Sequence, residues 1–216
     1  EETSPAEEST VESPSAPTEI EESLPEPAKN KAMEVYSPFN STLLGKTDTF
    51  YIEKSLPYMK RRMQEIIDSE SPVSQKALFK KTLAAWGMRS SQKAEARMEQ
   101  VSDLLNCTKT YANANVFYWK NEQNPETYSV FRVPSADPAS KRNMDDIPPE
   151  ELANAVKFII ENHLSLTRDD LVKECAKLFG FTRLGNVIVS SVENGIRTAL
   201  ARGYVKADGD RISVGE

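Results

Sequence analysis

The chain has 216 residues, and its 27 basic and 33 acidic side chains give a formal net charge of −6 at pH 7. Its apolar runs are much too short for a membrane-spanning helix, which needs about 20 consecutive apolar residues, so we expect no membrane partner. Two cysteines, Cys107 and Cys175, do not make a disulfide framework, which favours a reducing, cytoplasmic setting.

The negative charge is concentrated at one end of the chain. Residues 1–28 contain nine Glu and five Pro but no Lys or Arg, which leaves 27 basic and 24 acidic residues for the remainder. An acidic segment rich in Pro, Ser and Thr cannot bury enough apolar surface to offset its chain entropy. We therefore predict that residues 1–45 form a disordered linker. Because the first residue is Glu, we expect the sequence to be the end of a longer protein.

Helical periodicity defines a first predicted unit, residues 46–133. Apolar residues three and four apart predict its helices, with Ser74 placed to cap the second helix and Gly87 to end it. Two short β-like runs then predict a hairpin. The predicted elements are helices over 56–69, from 74 to 87 and over 90–106, and strands over 108–111, 116–119 and 128–133.

A polar, Pro-containing segment, residues 134–146, is predicted to link this unit to a second one, residues 147–216. Thr167 and Asp170 have the layout of a capping box, and Asp208-Gly209 is a strong hairpin turn. The predicted elements are helices over 149–162, from 167 to 180 and over 185–202, and strands over 204–207 and 210–214.

The two predicted units repeat each other. A shift of 93 residues places Ser74 on Thr167 and Gly87 on Gly180, and the order of elements is kept. Three helices followed by a β-hairpin is the order of a winged helix. The sequence therefore predicts a mainly α fold with small β-hairpins (α+β), built from tandem winged-helix or helix-turn-helix modules after a disordered N-terminal tail.

Residues 70–101 and 147–205, which include the strings IPPEE and LFGFTRLG, resemble the C-terminal region of large bacterial proteins related to superfamily-one helicases. The resemblance implies that a P-loop ATPase core and often a nuclease-like domain precede a small winged-helix domain of unknown function. It assigns a function to no residue of this region, and no ATPase or nuclease portion is present in the sequence.

Catalytic patterns are weak. The string NSTLLGKT, residues 40–47, ends like a phosphate-binding loop but lacks its first glycine and a preceding strand. His163 is the single histidine and neither cysteine has a CxxC partner, so no metal site is expected. Paired carboxylates such as Glu150-Glu151 precede or begin helices, where capping explains them. We expect a non-catalytic chain without cofactor, metal or small-molecule substrate.

Nucleic-acid binding is the function with a physical basis, because the third helix and the wing of such a module can contact DNA. Cationic and amide side chains recur on the polar faces of the predicted third helices and near the hairpins. The candidate DNA-binding residues are Lys80, Arg89, Lys93, Arg97, Lys120, Arg183, Asn186, Ser190, Asn194, Arg197, Lys206 and Arg211.

The alternative to DNA binding is a module that binds other proteins. Acidic residues interrupt both candidate helices, Glu193 among them, so the few cations predict weak, salt-sensitive DNA binding. A winged helix that contacts protein instead, such as the ATPase or nuclease domains of a longer parent chain, fits the same sequence. An exposed apolar patch without salt-dependent DNA retention would indicate this alternative.

Overall fold

The computed structural model describes residues 32–112 and 114–215. It shows a mainly helical α+β fold with small sheets, which confirms the predicted fold class. Most of the predicted disordered linker, residues 1–31, lies outside the described residues. In chain order the helices and strands are β1 (Met33–Val35), α1 (Leu56–Glu70), β2 (Val73–Ser74), α2 (Gln75–Ala84), α3 (Gln92–Ser102), β3 (Thr108–Ala112), β4 (Asn115–Trp119), β5 (Phe131–Val133), α4 (Pro149–His163), β6 (Ser165–Thr167), α5 (Arg168–Leu178), α6 (Asn186–Ala201), β7 (Val205–Asp208) and β8 (Arg211–Val214).

Each unit runs helix, strand, helix, helix, hairpin. The strand before the second helix pairs with the last strand of the hairpin, so the two antiparallel sheets have the orders β2-β4-β3 and β6-β8-β7. This is the predicted order with one short strand added to each unit. The sequence did not indicate β2 and β6 because they contain two or three residues and run directly into a helix cap, whose backbone is extended.

The internal repeat is visible in how the second helix of each unit begins and ends. Ser74 Oγ and Thr167 Oγ1 accept hydrogen bonds from the backbone N–H three residues later, at 3.0 and 3.2 Å. Gly87 and Gly180 follow these helices with φ of 64° and 79°. Glycine reaches this left-handed region without the cost that a Cβ imposes, which explains its place after each helix.

Residues 32–45, predicted as part of the linker, include a strand. β1 pairs in parallel with β5, and the backbone N–H of Tyr36 donates to the carbonyl of Val133 at 2.8 Å. Phe131 and Val133 pack in the core of the second unit, although the sequence assigned them to the first. Strand pairing between residues so far apart leaves no local pattern in the sequence.

Residues 134–146 also differ from the predicted linker, because they pack against both units. They contain the 3₁₀ turns Pro138–Ser140 and Met144–Asp146, and the side chains of Ser140 and Met144 are buried. Ser140 Oγ accepts a hydrogen bond from the backbone N–H of Ser135 at 2.8 Å. Of the polar side chains that suggested an exposed linker, those of Ser140 and Asp146 are buried and hydrogen-bonded, whereas those of Asp137 and Lys141 stay exposed.

The second hairpin turns one residue later than predicted. Asp208 pairs with Arg211, so the two turn residues are Gly209 and Asp210 rather than Asp208 and Gly209. Gly209 has a φ of 60°, the positive value that the first central residue of a two-residue hairpin turn requires.

A buried ionic network joins the two units. The guanidinium of Arg132 donates to the carbonyl oxygens of Glu70 and Pro72, at 2.6 and 2.8 Å, and to Glu151 Oε2 at 2.8 Å. Arg142 Nη1 donates to the same Glu151 oxygen at 2.9 Å. Side chains from β5, α4 and the 134–146 segment thus fix the end of α1 against the second unit.

Candidate nucleic-acid interface

A groove of about 470 Å³ crosses the surface of the first unit. It lies between α2, the start of α3 and the turn of the β3–β4 hairpin, which are the elements that a winged helix places near nucleic acid. Seven polar side chains line it, namely Ser74, Gln75, Lys76, Lys80, Ser90, Glu95 and Asn115.

Among the candidate cations of this groove, Lys80 has the side chain least engaged by other residues. Its side chain is exposed, and within residues 32–112 and 114–215 it has neither a hydrogen bond nor an ion pair. Lys76, one helical turn earlier, is paired with Asp145 at 3.2 Å but remains 66% exposed. Glu95 is the one carboxylate among the lining residues, and it accepts a hydrogen bond from the hydroxyl of Ser90.

Acidic side chains lie at the start of the second helix in both units. The first turn of α2 contains no acidic residue of its own, but Asp145 pairs with Lys76 at 3.2 Å and Asp146 accepts a hydrogen bond from Ser74, which caps the helix. The first turn of α5 carries Asp169 and Asp170.

The two units differ at the next lysine of this helix. Lys80 on α2 has no partner among the described residues, whereas the equivalent Lys173 on α5 pairs with Asp170 at 2.9 Å.

Two predicted candidates on α3 are engaged within the protein. Arg97 Nη2 donates to the carbonyl of Ile52 at 3.0 Å, and the Arg97 side chain is only 15% exposed. Lys93 is exposed, with its Nζ 4.5 Å from the centroid of the Tyr51 ring. Arg97 thus holds α3 against the segment before α1, which corrects its assignment to a DNA-binding face.

The remaining candidates of the first unit are separated from each other. Arg89 is exposed next to Ser90 at the edge of the groove. Lys120 follows the far end of β4, about 17 Å along the strand from Asn115 at about 3.4 Å per residue. Arg89 is therefore a chain neighbour of the groove rather than one of its lining residues, and Lys120 lies away from it.

On α6, the predicted polar face is partly occupied by internal hydrogen bonds. Arg197 donates to the side-chain oxygen of Asn194, and Ser190 Oγ donates to the carbonyl of Val187 at 3.1 Å. Arg183 and Asn186 are exposed at the start of the helix. The charge of Glu193 is neutralised, because Arg168 Nε lies 2.9 Å from both of its carboxylate oxygens.

The start of α6 also exposes apolar side chains that the sequence analysis did not single out. Leu184, Val187 and Val189 are 43%, 56% and 37% exposed. The helical pattern assigned the inward stripe correctly, since Val192 and Ile196 are fully buried. The exposed residues fall outside that stripe. Apolar residues outside the inward stripe are the sequence feature that could have predicted an apolar surface here.

The hairpin of the first unit lies between its groove and α6. Asn115 lines the groove and also lines a narrow gap that reaches Ser191 and Asn194 of α6. Asn115 Nδ2 donates to the carbonyl of Asp145 at 3.2 Å, which positions the hairpin turn against the 134–146 segment. The candidates on α2 and α6 therefore flank one shared hairpin turn.

The wing of the second unit carries the last two candidates. Lys206 on β7 is exposed, and Arg211 on β8 donates through Nε to the hydroxyl of Ser165 at 3.1 Å. Arg211 is thereby tied to β6, while Lys206 projects from the outer strand of its sheet.

The side chains considered as catalytic or metal-binding candidates have environments that fit a structural role. Burial raises the pKa of Cys175 to about 12, and within the part of the chain that the structure describes no group of His, Cys, Asp and Glu side chains could hold a metal ion. Glu151 was expected to act at a helix start, but its side chain is fully buried between Arg132 and Arg142. Sequence spacing did not indicate this network because its members come from separate elements.

Comparisons with known proteins add no family. No protein-family model matches the chain, and a search of the curated proteins finds no match. Among the described residues, no helix has the length and apolar character needed to cross a membrane.

Proposed function

We propose that this chain is a non-catalytic module that binds nucleic acid, with DNA as the expected substrate, through the groove of the first unit. One observation carries the proposal, the difference between two equivalent lysines of the repeat. Lys80 on α2 is exposed and has no partner among the described residues, whereas Lys173 on α5 pairs with Asp170 at 2.9 Å.

The contacts that this surface offers are mainly to phosphate. Lys76 and Lys80 supply positive charge on the α2 side of the groove, and Gln75, Ser90 and Asn115 add hydrogen-bonding groups. A third cation, the exposed Arg89, precedes Ser90 in the chain. Phosphate contacts position a protein on the duplex without reading its sequence. With about three cations, the expected binding is weak, strongly dependent on salt and largely independent of DNA sequence.

Two cations of the second unit form hydrogen bonds to uncharged partners, which hold the side chains but leave their charge in place. Arg197 is hydrogen-bonded to Asn194, and Arg211 to Ser165. The expected role of the second unit is to support the hairpin turn around Asn115 from the side of α6. The resemblance to helicase-related proteins gives the proposal a context, in which the module would hold DNA for the motor or nuclease of a longer bacterial protein.

Fluorescence anisotropy with duplex and single-stranded oligonucleotides at two salt concentrations tests the proposal. We expect Lys80→Glu to weaken binding about tenfold and to reduce the duplex salt-dependence slope by about 0.9. The matched control is Lys173→Glu, because Lys173 occupies the equivalent position on α5, is exposed and pairs only with Asp170 at the surface. Undetectable binding at low salt, or equal losses in the two variants, would contradict the proposal.

Protein binding is the second candidate function, and the exposed Leu184, Val187 and Val189 favour it. A patch of this kind at the start of α6 suits an apolar surface on a partner, the preceding domains of a longer chain being the partner that the resemblance implies. A pull-down of the longer protein's other domains tests it. Val187→Ser should reduce retention while leaving oligonucleotide binding unchanged, and unchanged retention would count against this candidate.

A further inference from the structure

A second cavity, of about 200 Å³, lies beside the groove between α2 and the 134–146 segment. Its walls come from the two units, because α2 belongs to the first and the segment is anchored to the second through Lys141 and Gly180. Cationic side chains dominate the lining on both walls. They are Lys76, Lys80 and Lys81 on α2, and Lys141 and Arg142 on the segment.

Three of these cations are already paired with carboxylates at the edge or floor of the cavity. The buried carboxylate of Glu70 accepts hydrogen bonds from Lys81 and from the hydroxyl of Tyr36. The pairs are Lys76 with Asp145, Lys81 with Glu70, and Arg142, together with Arg132, with Glu151.

Lys80 and Lys141 have no carboxylate partner in the described parts of the chain. Lys80 is exposed and makes no hydrogen bond there. Lys141 donates to the carbonyl of Gly180 and lies 4.5 Å from the centroid of the Phe181 ring, and both of these partners are uncharged. The cavity is thus lined by two lysine side chains, one from each wall, whose charges no carboxylate of the described residues neutralises.

The acidic groups leave this excess in place. Asp146 accepts hydrogen bonds from Ser74 Oγ and from Asn143 Nδ2. Two arginines share the single carboxylate of Glu151, so one of their two positive charges offsets the negative charge of Asp146. Six cations therefore face four carboxylates, an excess of two positive charges. The cations are Lys76, Lys80, Lys81, Arg132, Lys141 and Arg142, and the carboxylates are Glu70, Asp145, Asp146 and Glu151.

We propose that this cavity binds a phosphate group between Lys80 and Lys141. A phosphate monoester carries a charge of about −1.5 to −2 at neutral pH, which matches the excess. At about 30 Å³ for each water, the cavity has room for a phosphate group and several waters. The phosphate belongs either to a free phosphorylated small molecule or to the backbone of the nucleic acid in the neighbouring groove. The site shares Lys76 and Lys80 with the proposed groove and differs from it by Lys141, which lines only the cavity.

Isothermal titration calorimetry of the full chain with inorganic phosphate, at constant ionic strength set with chloride, tests the site. Because each lysine offers a charge-assisted hydrogen bond, we expect Lys80→Gln and Lys141→Gln each to raise the Kd about tenfold. Lys173→Gln, at the equivalent position of the repeat, should change the Kd less than about twofold. No binding of phosphate above the chloride baseline, or equal Kd values for Lys141→Gln and the unchanged protein, would overturn the proposal.

Duplex binding by Lys141→Gln distinguishes the two sources of phosphate. If the phosphate belongs to nucleic acid, this variant weakens duplex binding, and inorganic phosphate competes with the duplex. If it belongs to a small molecule, the variant loses inorganic phosphate but binds the duplex as before. Phosphate binding in a protein that binds no oligonucleotide would support the cavity and refute the nucleic-acid proposal, so the two can fail separately.

Discussion

Arg132 donates through Nη2 to Glu151 Oε2 at 2.8 Å, and both side chains are buried. Arg132 lies on β5, and Glu151 lies in α4, the first helix of the second unit. Since the same guanidinium also reaches the carbonyls of Glu70 and Pro72, this pair ties the end of α1 to the start of α4. The arrangement sets the positions of both walls of the proposed phosphate cavity.

Replacing Glu151 should strongly destabilise the protein. Glu151→Gln removes the charge that compensates Arg132 and Arg142, and a buried ion left without its partner costs about 3–5 kcal/mol. Urea unfolding measures the change in the free energy of unfolding. The control is Glu161→Gln on the same helix, where the carboxylate is 50% exposed and lies 3.8 Å from Lys157. A loss for Glu151→Gln no larger than that for the control would contradict this assignment.

Stability should depend on pH through the same carboxyl group. Burial by itself would raise the pKa of Glu151, but the charges and hydrogen bonds of Arg132 and Arg142 outweigh it and lower the pKa from 4.5 to about 2. Because the folded pKa lies below the unfolded one, the stabilisation is complete above 4.5 and is lost as the pH falls towards about 2. It amounts to about 3 kcal/mol, at about 1.4 kcal/mol per pKa unit. Unfolding free energies measured across this range should fall more steeply in the unchanged protein than in Glu151→Gln, and parallel curves would refute the link.

The two equivalent helix caps should contribute unequally. Thr167→Ala removes an exposed cap and should cost about 1 kcal/mol. Both hydroxyls also donate to a carboxylate, that of Thr167 to the exposed Asp170 and that of Ser74 to the buried Asp146. Ser74→Ala should cost about 1–3 kcal/mol more, because a buried carboxylate that loses its donor has no water to replace it. Thermal or urea unfolding of the two variants gives the comparison, and equal losses would show that the contact with Asp146 adds nothing.

Close packing of α4 against α6 should make Gly195 intolerant of a side chain. A Cβ at this position would lie 2.5 Å from Leu152 Cβ, so one of the helices must move. Gly195→Ala should therefore destabilise the protein by about 1–3 kcal/mol, despite the better helix propensity of alanine. Gly185→Ala, where no atom lies within 4 Å of the added Cβ, meets no such clash and should cost at most about 1 kcal/mol, because Gly185 is the N-cap of α6 and alanine is a poorer N-cap than glycine. A stabilising Gly195→Ala would contradict the packing.

Arg97 should affect stability rather than nucleic-acid binding. Arg97→Gln removes the hydrogen bond to the carbonyl of Ile52 and the contact with Glu53, and we expect a loss of about 1 kcal/mol. Its oligonucleotide affinity should stay within about twofold of the unchanged protein, in contrast to Lys80→Glu. A tenfold loss of affinity in Arg97→Gln with unchanged stability would return Arg97 to the binding surface.

The sequence by itself determined the local elements. Apolar spacing located all six described helices, and Ser74, Thr167, Gly87 and Gly180 marked where the second helix of each unit begins and ends. These features depend on neighbours within about four residues, whose spacing sets helical contacts and caps. The repeat of 93 residues followed from the same local signals.

Tertiary structure decided which polar residues are free. Arg97 and Lys80 look alike in sequence, yet one is held by Ile52 and the other has no partner among the described residues. The pairing of β1 with β5 and the burial of Glu151 also join residues distant in the chain. Such contacts depend on how helices and strands pack rather than on spacing along the sequence, so only the folded protein separates the lysines available to an anion from the arginines that hold its two units together.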